Sequence, residues 1–323
     1  MDTAVDLAAR PSTPELSPIA IAERGREIKG LDIFENTADD ITAERVGELM
    51  AEMNADEPKY GLELVYGEKE AQHLRLWEAK TSSKHAKSPI IVFVHGGSWK
   101  SGTYLDSIGS AKVEHLTGLG YAFASVNYTL IHEVTVEEQV QEVADSVGYL
   151  TKNALELGID PERFIFMGHS SGAHVVTLLG TDTSYLRKAG FSLHNLKGVI
   201  SLDGSNYNAL AEIADSPGPV AMNLIDALGT DTKRLRAMSP TYHAAGPNAR
   251  AFLLLHAQRY GDIRQAVELS AALQAAGTDV DLHVFEGSSF EGHMAMLLRV
   301  GDPSYPATSV MNEWLRKHVP VTD

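Results

Sequence analysis

Residues 168–172 read Gly-His-Ser-Ser-Gly, and their flanks constrain the fold more than any other feature of the chain. Arg163 to Met167 reads as a short buried strand, and Ala173 to Gly180 carries apolar residues at helical spacing. A strand that passes through G-x-S-x-G into a helix must turn very tightly. The flanking positions are then glycine, because a Cβ there would meet the neighbouring strand or helix. The serine, Ser170, is left on a sharp bend with its hydroxyl exposed and a helix N-terminus beneath it. This is the setting of a nucleophile elbow.

The rest of the chain supplies the sheet that such an elbow needs. Leu62–Tyr66 and His73–Trp77 read as two strands joined by a charged turn, expected antiparallel. Six further strands are expected at Pro89–Val94, Tyr121–Asn127, Arg163–Met167, Gly198–Leu202, Ala251–Leu255 and Asp281–Phe285. Ile90-Ile91-Val92-Phe93-Val94 is continuously apolar, as befits a parallel strand covered on both faces. Helical patterns alternate with these runs. The clearest starts at Thr135, which makes a capping-box pattern with Glu138, and repeats apolar residues from Val136 to Ala154 before Gly158. The expected class is α/β: an eight-stranded, mostly parallel, doubly wound sheet with helices on both faces. Residues 204–249 form an insert between the sixth and seventh strands. Residues 1–58, with a helical pattern over 38–54, read as an N-terminal arm and helix and a candidate lid; 59–323 read as the catalytic domain.

Composition narrows the partners. The chain has 323 residues, no cysteine and a formal charge of −16. At this length roughly 75% of the unfolded surface can be buried, so no disulfide or metal staple is needed. The absence of cysteine excludes disulfides and thiol catalysis and fits a reducing compartment. The acidic balance argues against nucleic acid and anionic membrane surfaces as partners. There is no run of 18 apolar residues, and Met1-Asp-Thr-Ala-Val-Asp lacks the basic start and apolar stretch of a signal peptide. The expected location is cytoplasmic.

Two further motifs belong with Ser170. His95-Gly96-Gly97-Ser98-Trp99 directly follows the third strand. Acyl transfer builds negative charge on a carbonyl oxygen, and preorganised backbone N–H groups stabilise it. Adjacent glycines let the backbone approach a substrate closely. The candidate oxyanion donors are the N–H groups of Gly96, Gly97 and Ser171, while His95 reads as a structural residue holding the loop. His293, in Gly287-Ser-Ser-Phe-Glu-Gly-His after the last strand, is the candidate general base, reaching Ser170 from a loop. His169 is the x of the elbow, His174 lies a turn down the following helix, and His318 reads as solvated in a C-terminal helix.

With these residues in place, the chain resembles the esterase branch of the α/β-hydrolases, near the hormone-sensitive-lipase-like and kynurenine-formamidase-like (arylformamidase) groups. HGGSW at 95–99, GYAFASVNY at 120–128, GIDPERFIFMGHSSGAH at 158–174, LKGVISLDG at 196–204 and the segment from His293 to Gly301-Asp302-Pro303 carry the likeness. It extends over roughly residues 60–318. The resemblance implies a metal-independent serine hydrolase, without a cofactor, acting on a small acyl ester or amide. It places the triad acid after the seventh strand, where Asp262 stands, or after the sixth, where Asp203 stands. Asp262 is the first choice, although Asp262-Ile-Arg-Gln also reads as an N-cap pattern. Two departures stand out: His256-Ala-Gln-Arg-Tyr260 puts its aspartate two residues later than an H-G-x-x-D pattern, and Ser98 replaces an aromatic residue typical of formamidases.

The expectation is a carboxylic ester hydrolase with Ser170, His293 and Asp262 as its triad. Arylformamidase-type amide cleavage is the alternative within the same mechanism; thioesterase and lactonase chemistry also suit the site. A ligand receptor on a hydrolase scaffold is the alternative of another class. Trp99, Ser98 and His169 are candidate pocket residues, and Tyr128, Asn206, Tyr207, Met222 and Leu224 either line a pocket or pack. Homodimerisation is left open by the sequence.

Overall fold

Eight strands form one sheet in the order β1-β2-β4-β3-β5-β6-β7-β8. They are β1 Leu62–Val65, β2 His73–Trp77, β3 Ser88–Val94, β4 Ala122–Val126, β5 Ile159–His169, β6 Leu196–Leu202, β7 Ala251–Gln258 and β8 Asp279–Ser288. The structure is a computed structural model and describes residues 45, 47–49, 51–52, 58–80 and 87–321. These lie within one compact unit, Asp39–Asp323. β1 and β2 pair antiparallel, with Leu62 opposite Leu76, and β2 joins β4 antiparallel. All other pairings are parallel.

The continuous apolar character of β3 follows from burial on two faces. Ile90, Val92 and Val94 enter one core and Ile91 and Phe93 the other, because side chains alternate along a strand. Each such buried side chain contributes about 1.5–3 kcal/mol of transfer free energy. The first core is closed by α2 (Val136–Lys152), α3 (Ser171–Thr181) and α9 (Tyr260–Ala275), through residues such as Val140, Val143, Val176, Leu179 and Leu269. The second is closed by α1 (Ser110–Gly118), α10 (Ser289–Arg299) and α11 (Pro306–His318), through Leu116, Met296, Leu297, Met311 and Trp314. A short helix, α4 (Ser184–Lys188), follows α3.

The capping box at Thr135 is formed. The Glu138 N–H donates to Thr135 Oγ1 at 3.3 Å, and the Thr135 N–H donates to Glu138 Oε2 at 2.8 Å. Helix α2 stops at Lys152, earlier than its apolar pattern suggests, and the chain turns through Gly158 at φ 66° into β5. The insert 204–249 folds into α5 (Ala209–Asp215), α6 (Pro219–Leu228), α7 (Thr232–Ala237) and α8 (Pro240–His243). Of the helix expected over 38–54, the described positions are helical and Leu49 is buried. The rest of the 1–58 arm lies largely outside the described residues.

The chain leaves β3 for β4 on one side, then returns to β5 on the other. Strand order reverses there, so a crevice opens at the carboxyl ends of β3 and β5. The sequence motifs sit at that crevice.

Candidate active site

Ser170 occupies φ 56°, ψ −124°, a region that side-chain-bearing residues rarely adopt. Its N–H donates to Leu202 O at 3.1 Å, and α3 starts at the next residue. Close packing explains the two glycines. A Cβ on Gly168 would lie 2.3 Å from Gly172 O, and one on Gly172 would lie 2.1 Å from Val94 O.

The loop after β3 is pressed against this bend. A Cβ on Gly96 would stand 2.9 Å from the Cβ of Ser170. Gly97, Ser98 and Trp99 all take positive φ, at 120°, 52° and 62°. The Gly97 carbonyl anchors the turn by accepting from Lys100 N–H at 3.1 Å and Ser101 N–H at 3.0 Å. The Trp99 N–H donates to Ser171 Oγ at 3.3 Å, which ties the loop to the residue after Ser170. His95 is buried, bonds Gly96 O through Nδ1 at 2.7 Å and stacks on Tyr128 at 4.4 Å. Tyr128 donates to His95 O at 2.9 Å. Burial pushes the His95 imidazole down to about 4, so it stays neutral and holds the loop.

His293 lies on the second turn of α10, where the glycine-rich sequence suggested a loop. Its Nδ1 is 2.5 Å from Asp203 Oδ2. Its ring packs 4.3 Å from that of His169, whose Nε2 donates to the His293 carbonyl at 3.0 Å. The x of the elbow therefore braces the imidazole. Ser170 and His293 both line two adjoining cavities, of about 430 and 260 Å³.

The carboxylate that meets His293 is Asp203, the second choice, in place of Asp262. Asp203 follows the end of β6 at φ 45°. It accepts from Ala257 N–H at 2.8 Å and from Arg259 Nη1 at 2.7 Å. Burial works against its charge, but the Arg259 charge and the bonds from His256 and His293 hold it well below the usual carboxylate range. Asp262 lies in the first turn of α9, which starts at Tyr260, so it is not the N-cap either. Its Oδ2 pairs with Arg259 Nη2 at 2.9 Å, and its Oδ1 has no partner. Burial pushes Asp262 well above the carboxylate range, against the pull of Arg259. The physical reason for the difference is that Arg259, at the head of α9, binds both carboxylates, but only Asp203, at the end of β6, also reaches the imidazole.

Comparison with known proteins agrees with this fold. The BD-FAE family matches residues 79–273, well over half of the chain. The chain belongs to the BD-FAE family. It is similar to the probable isoprenylcysteine alpha-carbonyl methylesterase ICMEL1 of Arabidopsis thaliana, 23% identical over 248 residues, covering 70% of this chain and 50% of that protein. The chain spans about half the length of the curated relatives it matches. Among solved structures, Thermogutta terrifontis esterase 2 phosphonylated by sarin superimposes with a TM-score of 0.69 at 18% identity, covering 83% of this chain and 98% of that one. Esterase B from Lactobacillus rhamnosis gives a TM-score of 0.67 at 18% identity, over 85% and 91%. This BD-FAE member has the α/β-hydrolase fold.

The cavities of the BD-FAE chain differ in character. Phe290, Met294 and Leu297 line the larger one together with Gly96, Gly97 and His169. The smaller one is lined by Trp99, Ser205, Asn206 and Arg259, among others. Ser98 and Asn223 border both, with Asn223 Nδ2 donating to Ser98 Oγ at 3.3 Å. Of the insert residues expected to line a pocket or pack, Asn206 lines the smaller of these two cavities. Tyr207 is buried on Ser201 and His256, Leu224 packs in the core and Met222 is exposed. His318 is not solvated: its ring packs 4.7 Å from Trp314. Among the described residues, Asp279, Asp281 and His318 are spaced to hold a metal ion, but Lys317 Nζ lies 3.1 Å from Asp279 and 3.8 Å from Asp281. No described helix is long and apolar enough to cross a membrane.

Arg259, Phe290 and Asn223 were not singled out from the sequence. For Arg259 the only signal was a cation two residues beyond the apolar run of β7 and three before Asp262.

Proposed function

We propose that the chain is a serine hydrolase that cleaves small carboxylic esters through an acyl-enzyme. The observation that carries this reading is the His293 imidazole, bonded to buried Asp203 at 2.5 Å and lining the same cavities as Ser170. With Nδ1–H donated to Asp203, Nε2 is the free acceptor, the tautomer a general base requires.

Ser170 Oγ attacks the ester carbonyl as His293 Nε2 takes its proton. The N–H groups of Gly96, Gly97 and Ser171 hold the resulting oxyanion, each donor worth about 2.7–4 kcal/mol where such groups have been removed. Collapse breaks the bond to the alcohol, which leaves with the proton from Nε2. Water, deprotonated by the same nitrogen, then attacks the acyl-serine, and its collapse releases the carboxylic acid and restores Ser170. Two cavities meeting at Ser170 suit the two arms of an ester, and their volumes suit small ones.

The names of relatives point the same way. ICMEL1 is named a methylesterase, and the Thermogutta esterase carries a phosphonyl group from sarin, a reagent of the kind that traps activated nucleophiles. The absence of cysteine supports action in a reducing, cytoplasmic setting.

The test is a stopped-flow assay with p-nitrophenyl acetate, butyrate and octanoate on the wild type and Ser170→Ala. Rapid release lost in the variant is the expected result; release retained in Ser170→Ala overturns the mechanism. A matched formanilide run in parallel separates ester from amide preference. Saturable ligand binding without an alcohol burst is the outcome for a receptor.

A further inference from the structure

Arg259 makes contacts that the triad mechanism does not call for. Its Nη1 lies 2.7 Å from Asp203 Oδ2 and 2.9 Å from His293 Nδ1, and its Nη2 lies 2.9 Å from Asp262 Oδ2. One guanidinium nitrogen thus shares the carboxylate oxygen that the imidazole also uses. We infer that Arg259 is a positioning residue that clamps Asp203 and sets the proton affinity of His293, keeping the imidazole in its free-base form. The inference rests on the serine-hydrolase reading of the same site.

The geometry gives Arg259 two effects of opposite kind. It bonds Asp203 Oδ2 while the Ala257 N–H bonds Oδ1, so both oxygens are held and Oδ2 is left facing His293. It also brings a permanent positive charge within hydrogen-bond range of Nδ1. A like charge that close disfavours a second proton on the ring, and the interaction is strengthened where water is excluded. In a triad without such a cation, the carboxylate alone faces the ring and favours the imidazolium. Here Arg259 offsets that attraction.

The other charged and titratable groups around the ring do not substitute for it. From β5, His169 packs on the imidazole and burial holds it well below its ordinary value, so it brings no charge. From β7, His256 Nδ1 lies 3.5 Å from Asp203 Oδ1, and its Nε2 lies 3.2 Å from Tyr207 Oη. On α9, Asp262 faces Arg259 and not the ring, and burial pushes it towards its neutral form. On α5, Glu212 accepts from Gln265 Nε2 at 2.6 Å and from Asn206 N–H at 3.0 Å. On α10 itself, Glu291 is exposed and paired with Arg45 at 2.9 Å. On α1, Lys112 is buried with its ammonium on the Leu297 carbonyl and acts on His169. Arg259 is the cation that touches both the ring and its carboxylate.

The experiment reads the ring and the serine separately. Labelling of Ser170 by a fluorophosphonate is followed against pH in the wild type, Arg259→Met and Arg259→Lys. The His293 imidazole is titrated by NMR in the same proteins, with its signal assigned by loss in His293→Gln. The expected wild-type midpoint lies below 6.5. Arg259→Met should raise it by about one pH unit, and Arg259→Lys, which keeps the charge, should recover most of that shift. A purely structural arginine would slow labelling in both variants without moving either midpoint, and that result overturns the inference. So does a wild-type His293 that titrates at or above 6.5, a measurement that stands even where Arg259→Met does not fold. Absence of labelling in the wild type at every pH would instead count against the serine-hydrolase reading, with the NMR titration still deciding the role of Arg259.

Discussion

The carbonyl oxygen of Val94 lies 2.1 Å from the point where a Cβ on Gly172 would be placed. Helix α3 therefore meets β3 backbone to backbone, with no room for a side chain between them. Gly172→Ala must push the helix off the strand or shift the loop that follows β3. We expect a loss of about 2–4 kcal/mol in urea unfolding, at the upper end for overpacking because the obstacle is backbone. A stability within 0.5 kcal/mol of wild type, a roughly neutral surface-like value, would show that the contact is looser than described.

The two aspartates should separate cleanly by activity. Asp203→Asn leaves the geometry nearly intact but offers the imidazole the wrong partner, a change that costs about 10⁴-fold in kcat in a comparable triad. Asp262→Asn removes a carboxylate that bonds Arg259 and not His293, so kcat should fall by about 10-fold or less. Steady-state kinetics on p-nitrophenyl butyrate measures both. A large loss in Asp262→Asn with a small one in Asp203→Asn would return the acid to the end of β7.

The pH profile follows from the His293 environment. Burial and the neighbouring Arg259 charge lower its value from 6.5, against the pull of Asp203. If His293 is the general base, as proposed, it works unprotonated, so kcat/KM should be at its plateau at pH 7 and fall as the pH drops through a midpoint below 6.5. A midpoint above 7 would mean that Asp203 dominates the ring.

Lys112 gives a stability prediction with its own pH dependence. Its side chain is fully buried, its Nζ donates to the Leu297 carbonyl, and burial pushes it down to about 7. The folded value lies below that of a free lysine, so between about pH 7 and 10 the unfolded chain binds more protons than the folded one. Burying the ammonium costs stability at low pH, and the cost fades as the pH rises through that window. Lys112→Met should stabilise the protein by about 1–3 kcal/mol at pH 6 and by much less at pH 10, read from urea midpoints at both. An equal gain at both pH values would mean that Lys112 is not buried charged.

The strands and the elbow were legible because their signals are local. The continuous apolar run from Ile90 to Val94, the glycines at 168 and 172 and the Thr135 capping box each reflect contacts set within a few residues or by close backbone approach. The position of His293 was legible, but its local structure was not. Gly287 and Gly292 suggest a loop, yet positive φ is limited to Gly287 at 118° and Ser289 at 52°, and a Cβ on Gly292 would lie 2.5 Å from the Gly287 carbonyl. That glycine serves a close approach at the start of a helix. The acid was the hardest to read. Asp203 and Asp262 both stand just beyond parallel strands, and what sorts them is a contact with His293, 90 residues away from Asp203, that no periodicity encodes.

The pieces of this site are scattered over half the chain. The loop at 95–99 follows β3, Ser170 follows β5, Asp203 follows β6, and His293 arrives only after β8. During synthesis the serine and the glycine-rich loop at 95–99 emerge well before the imidazole. A ribosome-bound chain halted short of β8 would hold a strained serine with nothing to deprotonate it. On the proposed serine-hydrolase reading, hydrolytic competence would be switched on by the last strand and the helix behind it, and first turnover would mark the completion of the sheet.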